Sequence, residues 1–349
     1  RLRDNRKPSV PPMERNMTVF SPLQALGPLT PIRSDGESSL ANFAQLTHYL
    51  DYYGLAPLLS EKTELYAGYT GTPRYQLWTQ VWSPPAPIGT AFVVHGYYDH
   101  LGLYRHLLKW LLARRWRVVL WDLPGHGLSS GKRACIDDFD DYLACLHAVQ
   151  TQLEAKRLAP KPWLGIGQST GAAILATDAL RRANTLPWAG LALLAPLVRP
   201  TGWPQAGWLH TLMGPFMHSL PRRFAPNSTD ADFATFLRDA DPLQPARLSL
   251  HWVSAMRRWM PRLIALPPVS LPTLILQGEQ DVTVDWEWNL AVLQRKFPQA
   301  RIHRDPEARH HLVNEAEPIR ARLFVELGEF VARLEQGLPT TSQETLIQC

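Results

Sequence analysis

The chain has 349 residues, 45% of them hydrophobic, and 36 Lys or Arg against 31 Asp or Glu give a formal net charge of +5. This composition supplies a large core and excludes global disorder, and the scattered basic doublets (Arg114-Arg115, Arg181-Arg182, Arg222-Arg223, Arg257-Arg258) form no stripe that would bind nucleic acid. Three cysteines, Cys135, Cys145 and Cys349, are too few for a disulfide scaffold and have no zinc spacing.

Residues 1–59 read as an N-terminal extension. Positions 1–15 are polar, with no apolar run behind their charges, so they do not read as a secretory signal. Prolines 8, 11, 12, 22, 28 and 31 make residues 1–38 an extended arm or a partly disordered one. Leu40, Phe43, Leu46, Leu50 and Tyr53 then take helical spacing. Residues 72–83 alternate like a half-buried strand.

From there, short continuous apolar runs at 90–94, 117–121, 163–166 and 190–195 alternate with helix-patterned stretches at 101–115, 137–158 and 170–183. A fifth run at 273–276 is followed by a helical pattern at 285–296, a short strand candidate at 300–304 and a second helical pattern at 317–335. This alternation predicts an α/β fold: a mostly parallel sheet, covered by helices on both faces. The core is expected in two parts, 60–196 and 271–336, with a polar tail at 337–349. The proline- and tryptophan-rich stretch 197–270 between them contains no parallel-strand run and reads as an inserted helical cap. No uninterrupted apolar run reaches the ~18 residues of a spanning helix.

The polar motifs fall at the carboxyl ends of the predicted strands, where open α/β sheets place their functional groups. Gly167-Gln168-Ser169-Thr170-Gly171 lies between the run WLGI and a helical stretch. A serine in a tight strand-to-helix turn, flanked by glycines, presents its hydroxyl above the sheet and beside free helix N–H groups. Ser169 is therefore the candidate nucleophile; the bland alternative is a structural turn. Such a serine needs a base and an orienting acid further along the chain. Asp281, just past the run TLILQG, is the candidate acid, with Glu279 and Asp285 as rivals and a loop or N-cap role as the alternative. His310 is preferred to its neighbour His311 as the base; either is otherwise a surface-loop histidine. Oxyanion donors are expected from the backbone N–H groups of Thr170 and Tyr97, the latter following His95-Gly96 at a strand end. His95 and His100 lack any metal-binding pattern, so no metal or other cofactor is expected. Asp122 and His126, in the loop DLPGHGLSSG, read as loop-tying residues.

Together HGYYDH, DLPGHGLSSG, GQSTG, GEQD and RHHLVNE, in this order, resemble the lysophospholipase and monoacylglycerol-lipase branch of the α/β-hydrolase superfamily. The resemblance spans roughly residues 60–335. It implies the α/β-hydrolase fold, with Ser169 as nucleophile, Asp281 as acid, His310 as base, and an oxyanion hole from Tyr97 and Thr170. It also implies cleavage of a carboxylic ester of a monoacyl lipid, a lysophospholipid or a monoacylglycerol. The alternatives are a short-chain esterase, thioesterase or peptidase of the same fold, or an inactive hydrolase-like binding protein. The sequence departs from that branch at Tyr97-Tyr98, where small residues are usual, and at Gln168 and Thr170, which flank the serine.

The segment 201–220 has no Asp, Glu, Lys or Arg. Its Trp203, Trp208, Met213 and Phe216 are candidates for lining an acyl tunnel and meeting a lipid surface, or else for packing the cap onto the body. A cytoplasmic protein with peripheral membrane contact through the cap is the expectation.

Overall fold

The computed structural model describes residues 19–20, 23, 26–32, 40–60, 62–183, 185–203, 217–222 and 224–337. A nine-stranded sheet runs through the molecule. Its first edge is antiparallel: β1 (Thr30–Ile32) pairs with β2 (Glu64–Gly71), β2 with β3 (Gln76–Ser83), and β3 with β5 (Trp116–Trp121). From β5 onward the sheet is parallel, in the order β5, β4 (Gly89–Val94), β6 (Trp163–Gln168), β7 (Trp188–Leu194), β10 (Thr273–Gly278) and β11 (Arg301–Asp305).

The apolar runs are continuous because the central strands are buried on both faces. In β4, Phe92 and Val94 join one core cluster while Ala91 and Val93 join the other. In β5, Val119 and Trp121 join the first and Val118 and Leu120 the second. The first cluster takes in side chains of α3 (Phe139–Ala155), α4 (Thr170–Arg181), α6 (Leu250–Ala265) and α7 (Trp286–Lys296). The second takes in those of α1 (Leu40–Tyr52), α2 (Arg105–Ala113) and α8 (Glu317–Gly337), such as Tyr49, Leu107 and Leu327.

Two features differ from the sequence reading. The alternation assigned to 72–83 is the second half of a hairpin, and β3 is buried along nearly its whole length because β2 and β5 flank it. Thr30–Ile32 of the proline-rich arm adds a short edge strand, where Pro31 costs little because edge positions tolerate a missing N–H. Between β7 and β10 the chain makes an excursion containing α5 (Ala231–Asp239) and α6. It also contains a small antiparallel pair, β8 (Ser219–Pro221) with β9 (Arg247–Ser249). No helix among the described residues is long and apolar enough to cross a membrane.

Candidate active site

Ser169 sits between β6 and α4 with φ 53° and ψ −109°, a conformation that non-glycine residues rarely adopt. Three backbone bonds hold the turn. Its N–H donates to Leu194 O at 2.8 Å, and its carbonyl accepts from Ala173 and Leu197 at 3.1 and 3.2 Å. The turn also requires Gly171, where a Cβ would lie 2.0 Å from Val94 O at the end of β4. The result is a strained, over-determined serine that remains 7% exposed.

Asp281 follows β10 and His310 stands in the loop after β11. His310 Nδ1 lies 2.7 Å from Asp281 Oδ2, joining residues from separate loops. Asp281 is otherwise fixed by Gln277 Nε2 on Oδ2 at 3.1 Å, and by Thr283 and Val284 N–H on Oδ1 at 2.7 and 3.2 Å. Burial works against the charge on both partners, and their mutual attraction and hydrogen bond outweigh it. The Asp281 pKa is therefore held below the ordinary carboxylate value, and that of His310 is raised.

The His310 loop is tied to the serine turn. Gln168 Nε2 donates to His310 O at 2.7 Å, so the residue preceding Ser169 grips the backbone of the histidine. Gly96 closes the other side: a Cβ there would lie 3.4 Å from Ser169 Cβ and 2.9 Å from Asp99 Oδ2. Thr170 opens α4, so its N–H has no acceptor within the helix. The backbone N–H of Tyr97 likewise has no acceptor among the described residues.

The rival candidates are engaged elsewhere. Glu279 faces Arg304 at 3.5 Å, while Asp285 caps α7 and pairs with Arg199 at 2.7 Å. His311 Nε2 lies 3.2 Å from Asp99 Oδ2 and makes no contact with Asp281 among the described residues. His95 accepts the Leu123 N–H at Nε2, so its Nδ1 carries the proton and donates to Gly96 O. His100 Nε2 pairs with Asp241 Oδ2 at 3.0 Å, linking the loop after β4 to the β7–β10 excursion. Asp122 accepts the N–H groups of Leu101 and Leu128, both at 2.7 Å, and thus ties loops together. Burial pushes the His126 pKa down to about 3, and its Nδ1 meets Pro124 O at 2.9 Å.

Tyr97 and Tyr98 are accommodated by the excursion. The Tyr97 ring stacks on Trp252 at 4.0 Å between centroids, and its hydroxyl donates to Ala134 O at 2.7 Å. Tyr98, at φ 71°, lies under the Arg222 guanidinium. Trp203 is buried in the first core cluster; Trp208, Met213 and Phe216 lie outside the described residues. Sequence reasoning singled out neither Gln277 nor Asp99, and treated Gln168 only as a departure from the usual pattern. Their roles rest on contacts between loops remote in sequence. Glu315, the last residue of RHHLVNE, accepts the Arg309 N–H at 2.7 Å and so braces the histidine loop.

A parallel sheet with a strained serine turn after one strand and a joined Asp–His pair in the loops after two others defines an α/β-hydrolase. The family model described as serine aminopeptidase, S33, matches residues 85–317, and the chain belongs to that family. Within it, the chain is similar to monoglyceride lipases. It is 26% identical to the monoglyceride lipase homolog of monkeypox virus over 73% of this chain and 94% of that protein. It is also 26% identical to the human monoglyceride lipase, over 76% and 90% respectively. Two solved structures share the fold. The Paleococcus ferrophilus monoacylglycerol lipase has TM-score 0.64 and 21% identity, covering 73% of this chain and 98% of that one. A soluble variant of the Saccharomyces cerevisiae monoglyceride lipase, in complex with a substrate analog, has TM-score 0.66 and 15% identity, covering 76% and 94%. Family and relatives together support an ester hydrolase.

Proposed function

We propose that the protein is a serine hydrolase that cleaves the carboxylic ester of a monoacyl lipid through an acyl-enzyme. The observation that carries this reading is the 2.7 Å Asp281–His310 pair, tethered by Gln168 to the turn that holds Ser169. A carboxylate on Nδ1 fixes the tautomer in which Nε2 is the basic nitrogen. His310 Nε2 takes the Ser169 Oγ proton as Oγ attacks the ester carbonyl. The carbonyl oxygen becomes an oxyanion held by the N–H groups of Thr170 and Tyr97. His310 returns the proton to the departing alcohol, and water, activated by the same nitrogen, then releases the fatty acid. Asp281 stays ionised throughout and stabilises the imidazolium.

The named activities of the relatives favour a monoacylglycerol or a closely related lysophospholipid over a peptide. In this reading residues 197–270 form a cap over the body made by 60–196 and 271–336, with 1–59 as an extension and 337–349 as a tail. Trp203, packed in the first core cluster, anchors the start of this segment to the body, and the cap is proposed to cover the acyl chain and to meet a lipid surface, which would make the protein a peripheral membrane enzyme.

The test is hydrolysis of a panel of monoacyl esters of graded acyl length beside aminoacyl anilides, by the wild type and Ser169→Ala. Turnover of long-chain monoacyl esters that vanishes in Ser169→Ala supports the proposal. Turnover confined to the anilides, or undiminished in the variant, overturns it.

A further inference from the structure

Arg222 follows β8 directly and is half-buried. Its guanidinium carbon lies 4.0 Å from the centroid of the Tyr98 ring, and Phe224 flanks it at 5.9 Å. Nη1 donates to Gln244 Oε1 at 2.7 Å and to Pro245 O at 3.4 Å. Nε and Nη2 have no acceptor, and no carboxylate pairs with the group, among the described residues.

Arg74, Arg199, Arg262, Arg301 and Arg322 each hold at least one carboxylate, whereas Arg133, half-buried like Arg222, is held by the carbonyl oxygens of Gly127 and Leu243 and lies away from the serine loop. The acidic groups near Arg222 are committed elsewhere: Asp99 to His311 at 3.2 Å, and Asp241 to His100 at 3.0 Å and to Gln244 at 2.9 Å. A partly desolvated cation without an anion is costly, so one that is retained points to an anion supplied from outside the chain.

Its position says what that anion belongs to. Tyr98, on which Arg222 lies, follows the proposed oxyanion donor Tyr97, and Gly96 before it abuts Ser169. An anion on Arg222 would therefore sit against the loop that carries Tyr97, and because a fatty acyl chain carries no charge, such an anion on a substrate belongs to its alcohol part. Two free guanidinium nitrogens on one side match the paired oxygens of a phosphate, the geometry that arginine recognises best. Arg223, beside it, lies outside the described residues.

We propose that Arg222 selects substrates whose alcohol part bears a phosphate, monoacyl glycerophosphates, over neutral monoacylglycerols of the same chain length. The proposal rests on the ester-hydrolase reading above and narrows its substrate class.

The experiment measures kcat/KM for 1-oleoyl glycerophosphate and for 1-oleoylglycerol in the same neutral detergent micelles, with the wild type, Arg222→Met and Arg222→Lys. The wild type is expected to favour the phosphate ester. The ratio of the two constants should fall about 10–100-fold in Arg222→Met, with partial recovery in Arg222→Lys. If Arg222→Met does not fold, Arg222→Gln takes its place and the same ratio is read. A wild type that prefers the neutral ester, or a ratio unchanged within about twofold while both rates fall together, overturns the proposal and leaves Arg222 as a staple between cap and body. Hydrolysis of neither ester, with Ser169 inert to a fluorophosphonate, defeats the hydrolase reading itself and this proposal with it.

Discussion

Gln168 and His310, 142 positions apart in the chain, are joined by a 2.7 Å hydrogen bond from the glutamine side chain to the histidine carbonyl. The strand that ends in the serine turn thereby sets the height of the loop that carries the base. Removing the tether is expected to lower kcat about tenfold, because small misplacements of a base are expensive in rate. In Gln168→Ala the oligomeric state and secondary structure should persist while single-turnover acylation slows. An unchanged acylation rate would show that the tether does not position His310.

Asp281→Asn leaves the shape of the site but removes the charge that favours the right tautomer and stabilises the imidazolium. A loss of about 10³–10⁴ in kcat is expected. The pH profile should move as well. In the wild type the attraction of Asp281 outweighs the burial of His310, so the base titrates above the ordinary histidine value of 6.5 and activity rises with pH through that higher midpoint. In the variant burial is opposed only by the weaker attraction of Asp99 and Glu315, and the midpoint should fall. A midpoint that stays put would mean another group controls the profile.

The same pair makes a pH-dependent contribution to stability. His310 has a raised pKa in the folded protein, so its share is complete below the unfolded value and fades as pH climbs through the folded one. Asp281 has a lowered pKa, so its share is complete above the unfolded value and is lost as pH falls through the folded one. The Tm difference between wild type and Asp281→Asn should therefore be largest between those limits, roughly pH 4–6.5, and shrink on either side. A difference constant across pH would contradict the coupling.

His311 offers a direct comparison with its neighbour. It faces Asp99 rather than Asp281. His310→Gln should remove nearly all activity, whereas His311→Gln should reduce kcat far less and act mainly on Tm. Equal losses in kcat would reverse that assignment.

Gly171→Ala brings a methyl group to 2.0 Å from Val94 O, a backbone atom of a central strand that cannot retreat cheaply. A destabilisation of about 3 kcal/mol or more is expected, read as a large fall in denaturant midpoint or as failure to fold. Wild-type stability would mean that the turn is far more plastic than its contacts indicate.

Much of the fold could be read from apolar runs because β4, β5, β6, β7 and β10 are buried on both faces, which makes them continuous and short. The hairpin strand β2 was missed: ELYAGYTG carries Gly68 and Gly71 and sits near the sheet edge, so its pattern is weak. The pair β8–β9 was missed because three-residue strands leave no periodicity to detect. In the candidate site, Ser169, Asp281 and His310 could be proposed from strand-end position and local motif. The contacts around them, Gln168 on His310, Asp99 on His311 and Asp241 on His100, are meetings of distant loops, and neither spacing nor composition encodes them.

The central claim is that Ser169 is a nucleophile driven by His310 and Asp281. Treatment with an alkyl fluorophosphonate followed by peptide mass spectrometry tests it most directly. The account predicts one adduct per chain, on Ser169, formed rapidly by the wild type and at a strongly reduced rate by His310→Gln. An intact Ser169, or an adduct on another residue, would contradict it.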